Sequence, residues 1–82
     1  MLDIKYEDDF LRVISKIKDN SKKEQIKKQI DKIIANPEIG KPMMYDRKGT
    51  REVYVKPFRL SYVYLKDENT LIFLNFYHKD NQ

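Results

Sequence analysis

Cysteine is absent from this chain of 82 residues, and histidine occurs once. The first absence removes any disulfide framework and any thiolate metal site. The second argues against a histidine-based zinc centre. Long apolar runs are missing too. No stretch approaches the roughly 18 apolar residues of a membrane span, and the longest apolar segment, Leu71 to Tyr77, is interrupted by Asn75. The opening residues, Met1-Leu2-Asp3-Ile4-Lys5-Tyr6, lack the apolar core of a signal peptide, so a soluble, cytoplasmic protein with no membrane partner is expected. Walker loops, GxGxxG, HExxH and Ser-His-Asp arrangements are also lacking. Nucleotide hydrolysis, redox chemistry and metalloprotease activity therefore have no support, and no metal or cofactor is expected.

What the chain does hold is enough for one small core. Hydrophobic residues make up 40 % and include ten aromatics, while charged residues reach 37 % with acids and bases interspersed. That is a charged globular surface rather than disorder. A single domain spanning 1–82 is expected, small enough that its stability margin is thin and a partner adds to it.

Leu2 to Tyr6 alternates and reads as a first strand. From Glu7 the period lengthens: Phe10, Ile14 and Ile17 form a helical stripe widened by Leu11 and Val13. Glu7, Asp8 and Asp9 place negative charge on its first turn, where the helix dipole favours it. Asp19-Asn20-Ser21 breaks that helix, and Ser21 with Glu24 predicts a capping box opening a second one. Its stripe is Ile26, Ile30, Ile33 and Ile34, and Asn36-Pro37 ends it. So short a break predicts an antiparallel hairpin. Residues 36–42 read as a loop, followed by strands over Thr50–Lys56, Phe58–Lys66 and Thr70–Tyr77, with turns at Pro57 and at Asp67-Glu68-Asn69. The expectation is an α+β domain of order β-αα-βββ, its twisted sheet mainly antiparallel, with Val53 and Val55 on one face of their strand and Glu52, Tyr54 and Lys56 on the other.

Function is sought first between Gly49 and Lys79, where Val, Tyr, Phe and Leu alternate with single cations in a chain of net charge +4. A sheet face of that kind suits phosphate. Only four of the seventeen basic residues are arginine, and three of them, Arg47, Arg51 and Arg59, fall close together beside Lys48 and Lys56. Guanidinium grips phosphate through a planar fork, which lysine lacks. Arg59 stands out because it sits inside an aromatic strand; its plainer explanation is a cross-strand ion pair with Glu52. Lys22, Lys23, Lys27, Lys28 and Lys32 on the second helix either track nucleic-acid phosphates or simply solvate the surface. His78 can exchange a proton near neutrality or can be an ordinary surface residue. The tyrosines can stack on bases or pack in the sheet.

At this point the chain resembles the RelE/ParE superfamily of toxin–antitoxin toxins, and its RelE-like branch in particular. The likeness rests on the loop Asn36-Pro37-Glu38-Ile39-Gly40-Lys41-Pro42, on Gly49-Thr50-Arg51-Glu52-Val53-Tyr54, on Phe58-Arg59-Leu60-Ser61-Tyr62 and on the closing pair His78-Lys79. What the resemblance implies is an endoribonuclease that cuts mRNA in the ribosomal A site, also meeting ribosomal RNA, and is silenced by a RelB-like antitoxin. Its reaction is metal-independent attack of a ribose 2′-hydroxyl on the adjacent phosphate. Arg59 then holds the scissile phosphate, Arg51 and Lys56 add charge, and His78 and Lys79 supply acid–base and charge-stabilising roles. Arg47, Lys48, Lys41, Lys27 and Lys28 line the path of the RNA. Many members place a tyrosine several residues beyond the closing pair. None follows Lys79 here, which leaves the general base among His78, Lys56 and Tyr77. The assignment requires Arg51, Arg59 and His78 to share one pocket. A ParE-like gyrase poison and a non-catalytic RNA-binding module are the rivals.

Overall fold

The computed structural model describes residues 1–81. Its elements run β1 (Asp3–Tyr6), α1 (Asp8–Ser15), α2 (Asn20–Ala35), β2 (Lys41–Pro42), β3 (Arg51–Val55), β4 (Phe58–Leu65) and β5 (Thr70–His78). They form one five-stranded sheet in the order β1-β5-β4-β3-β2. β1 lies parallel to β5 and the other neighbours are antiparallel. The chain therefore starts at one edge of the sheet, crosses through the helical hairpin, and re-enters at the far edge as β2. No helix among the described residues is long and apolar enough to cross a membrane.

Three local expectations are corrected. β2 pairs with β3, Lys41 opposite Glu52, so the loop contains a short edge strand. The second helix is capped by Asp19, whose carboxylate accepts the Ser21 backbone N–H at 2.9 Å, rather than by a Ser21–Glu24 box. Asp19 takes the role because a carboxylate one residue ahead of the first turn already satisfies a free N–H there. α1 also stops at Ser15, short of Ile17, although Ile17 still packs against the core.

Both helices cover one face of the sheet. Phe10, Ile26 and Ile33 meet Val55, Leu60, Tyr62, Leu71, Phe73 and Phe76 in a single core. Burial of each large side chain contributes about 1.5–3 kcal/mol. Phe73 and Phe76 both point inward although three residues apart, because the β4–β5 register shifts at Ser61/Tyr62. An extra residue in one strand reverses the alternation beyond it. By the same alternation Glu52, Tyr54, Arg59, Ser61, Asn75 and Tyr77 turn to the opposite, open face. Val63, Leu65 and Ile72 extend that face as an apolar end outside the core cluster.

The loop from α2 to β3 is fastened from behind the sheet. The buried Tyr62 hydroxyl accepts the Gly40 N–H at 2.9 Å and donates to the Pro37 carbonyl at 2.8 Å. Arg51 donates to the carbonyls of Gly40 at 2.8 Å and Glu38 at 3.0 Å. Gly40 must lack a side chain, since a Cβ there would lie 2.6 Å from the Tyr62 hydroxyl. These ties fix Lys41 at the sheet edge.

Candidate nucleic-acid interface

Glu52 is the hub of the open face. Its side chain is only 6 % exposed, yet it lies on a strand face that no helix covers. The side chains of neighbours bury it. Arg47 Nη1 donates to Oε2 at 3.2 Å, Arg59 Nη1 to Oε1 at 3.5 Å, and the Tyr77 hydroxyl also donates to Oε2. Arg47 further donates to the Tyr77 hydroxyl at 2.6 Å, with its guanidinium 5.4 Å from the centre of that ring. One carboxylate thus serves two guanidiniums and a phenol, and the cluster stays net positive.

Burial, reinforced by the bond to Glu52 and only partly opposed by Arg47, raises the Tyr77 pKa above the usual tyrosine value. Tyr77 therefore keeps its proton at physiological pH. Its bond to Arg47 in turn raises the Arg47 pKa, so that residue remains cationic.

Glu52 lies between two hollows. An open cleft of about 490 Å³ is lined by Lys41, Met43, Glu52, Tyr54, Arg59 and Lys79. A smaller one of about 290 Å³ lies toward Arg47, Thr50, Ser61, Asn75 and Tyr77. The larger has the size of a small-ligand site, and it joins three cations to a tyrosine that is 49 % exposed. Arg59 is the pivotal cation. Among the described residues the 3.5 Å contact to Glu52 is the one hydrogen bond its side chain makes, and it is 35 % exposed. Most of the five donors of its fork are therefore available to a ligand.

The structure does not gather Arg51, Arg59 and His78 into one pocket. Arg51 and His78 pair with Tyr62 and Phe58, on the helix side, whereas Arg59 pairs with Tyr54 and Tyr77 on the open side. Arg51 is spent on the loop carbonyls. His78 sets its imidazole edge-on to Phe58, and its Nδ1 accepts the Asp80 N–H at 3.2 Å. Of the remaining expected residues, Lys79 and Lys41 join Arg59 at the cleft, and Arg47 reaches Glu52 from the adjoining loop. Lys56 is exposed at the β3–β4 turn, where its carbonyl accepts from Lys22, and Lys48 is exposed ahead of β3. Lys27 and Lys28 are exposed on α2, in the layer on the other side of the sheet.

Two residues of the site had not been assigned to it. On sequence grounds Glu52 is an ion-pair partner of Arg59 and Tyr54 one tyrosine among several, both on the strand face opposite Val53 and Val55, and neither is assigned to the site. The signal was the alternation of β3, which sends Glu52 and Tyr54 to the face opposite Val53 and Val55.

Comparison with known proteins agrees with this architecture. A chain of the intact E. coli RelBE toxin–antitoxin complex superposes with a TM-score of 0.79 at 14 % identity, over 95 % of this chain and 96 % of that one. A chain of the RelBE2 toxin–antitoxin complex of Mycobacterium tuberculosis gives 0.79 at 18 % identity, over 95 % and 98 %. YafQ of E. coli gives 0.74 at 22 % identity, over 99 % and 97 %. None of the curated proteins matches the sequence closely enough to count as a relative. The fold is that of a RelE/ParE-type toxin. More narrowly, residues 3–82 match the family model described as ParE toxin of type II toxin–antitoxin system, parDE, and the chain belongs to that family.

Proposed function

We propose that this toxin halts translation by cutting mRNA on the ribosome, with the RNA strand lying across the open face of the sheet. The observation that carries this reading is the state of Arg59: a half-buried fork with one long contact, aimed into a cleft that also holds Lys41 and Lys79. A scissile phosphate seated there gains bidentate bonds from Arg59 and charge from Lys79. Attack by the neighbouring 2′-hydroxyl builds negative charge on the phosphorane, where fixed cations in a concave site are each worth about 10²- to 10³-fold in rate. The protein works in the cytoplasm, and its partner is a RelB-like antitoxin. An acid-rich amphipathic segment of that antitoxin fits the open face, with apolar side chains on Val63, Leu65 and Ile72 and carboxylates over the cleft cations.

A second reading is favoured by two observations. The matching family model is the ParE one, and the face that carries Arg59 carries no histidine. On that reading the protein poisons DNA gyrase and leaves RNA whole. A reconstituted translation reaction and a gyrase supercoiling reaction, each given purified protein, separate the two. RNA cleavage predicts arrested translation with shortened mRNA and unimpaired supercoiling. Broken DNA in the gyrase reaction, with translation intact, would overturn the first reading in favour of the second.

A further inference from the structure

We propose that Glu52 is the general base of the reaction, released for that role when the substrate phosphate takes Arg59 from it. This rests on the RNA-cleaving reading. Tyr77 cannot take the proton, because burial and its bond to Glu52 hold its own. His78 lies behind the strand end, packed on Phe58, and Lys56 lines neither hollow. Glu52 is the carboxylate that lines the cleft beside Arg59. Two carboxylate oxygens offer about four acceptor sites, and the donors found here are Arg47, Arg59 and Tyr77.

The two oxygens are held unequally. Oε2 takes Arg47 and Tyr77, which anchor the carboxylate, while Oε1 takes only the long bond from Arg59. Phosphate competes for Arg59 with the same chemistry that carboxylate uses, so a bound RNA strand turns the fork away and frees Oε1. The 2′-hydroxyl is the neighbour of that phosphate on the ribose and comes within reach of the freed oxygen. The O2′–H bond then breaks with its proton passing to Oε1, the O2′–P bond forms, and the P–O5′ bond breaks. Lys79, also at the cleft, donates a proton to the departing 5′-oxygen. The products are a 2′,3′-cyclic phosphate and a 5′-hydroxyl, and solvent returns both side chains to their starting states.

The test is single-turnover cleavage of ribosome-bound mRNA by wild type, Glu52→Gln and His78→Ala, alongside binding to an RNA whose target ribose is 2′-deoxy. Glu52→Gln should bind this RNA at least as tightly as wild type, since an internal competitor for Arg59 is gone, and cut about 10²- to 10⁴-fold more slowly. His78→Ala should cut within a few-fold of wild type. Near-normal cutting by Glu52→Gln would overturn the proposal, as would binding and cutting that fall together in proportion to lost fold, the mark of a purely structural carboxylate. If Glu52→Gln does not fold, His78→Ala still decides: cutting abolished with binding intact makes the imidazole the base. A wild type that leaves the mRNA whole overturns the cleavage reading itself, whereas failure of Glu52 alone leaves that reading standing.

Discussion

Removing the hydroxyl of Tyr62 should destabilise the protein far more than removing that of Tyr54, which lies on the neighbouring strand but on the opposite face of the sheet. The Tyr62 ring is fully buried, and Tyr62→Phe leaves its packing in place. What disappears is one acceptor for the Gly40 N–H at 2.9 Å and one donor to the Pro37 carbonyl at 2.8 Å. Each bond contributes about 1 kcal/mol net, and the stranded Gly40 N–H, in a buried residue, adds a desolvation cost of about 1 kcal/mol or more. The sum is about 2–3 kcal/mol. For a domain of this size, at about 4–8 °C per kcal/mol, that lowers Tm by roughly 10–20 °C. Tyr54→Phe deletes a hydroxyl that makes no hydrogen bond among the described residues, so its Tm should stay within about 3 °C. Thermal melts followed by circular dichroism, with urea midpoints as a check, compare the pair. Equal melting of both variants would show that the α2–β3 loop is not fastened through Tyr62, and the argument for a fixed Lys41 would fail with it.

Gly40→Ala should cost at least as much as Tyr62→Phe, because the new methyl must push the buried ring aside; a melt within a few degrees of wild type would contradict the close approach. Arg51→Ala should lower stability by about 1–3 kcal/mol through the two loop carbonyls it leaves behind, while salt-dependent RNA affinity changes little once measured on folded protein. Tyr77→Phe should leave the alkaline side of the pH profile of activity unchanged up to about pH 10, since Tyr77 keeps its proton there. Because folding raises the Tyr77 pKa, its contribution to stability is present below the unfolded value and lost as pH rises through the folded one. Alkaline unfolding followed by tyrosinate absorbance should therefore show one tyrosine fewer of the late-titrating kind in the variant. Phe10→Ala should cost about 3–5 kcal/mol by opening a cavity beneath Phe73, enough to unfold much of the protein at 37 °C.

Much of the fold was legible because the periods in the chain are clean. The isoleucine stripe of α2 and the Val53–Val55 alternation of β3 each predict a face, and Ile26, Ile33 and Val55 are buried where those patterns put them. Legibility stopped where pairing between strands mattered. Arg59 and His78 each look like a cation at a strand face, but which faces they share depends on Arg59 standing opposite Tyr77, a register no single strand encodes. The shift at Ser61/Tyr62 was equally hidden, and it is what lets Phe73 and Phe76 both reach the core. Arg51 is a different case. It shares parity with Val53 and Val55, so its place on the helix side was available from β3 alone; the attraction of an arginine cluster obscured it. Glu52 was visible as a partner for Arg59, but its burial and its bonds to Arg47 and Tyr77 join residues as far apart as 47 and 77 and appear only in three dimensions.

Primer extension on ribosome-bound mRNA treated with wild type, Arg59→Ala and His78→Ala puts the open face directly to the test. The account predicts new stops with wild type and with His78→Ala, and their loss by about 10²- to 10³-fold with Arg59→Ala. Unbroken mRNA with wild type, or stops that survive in Arg59→Ala and vanish in His78→Ala, would contradict it.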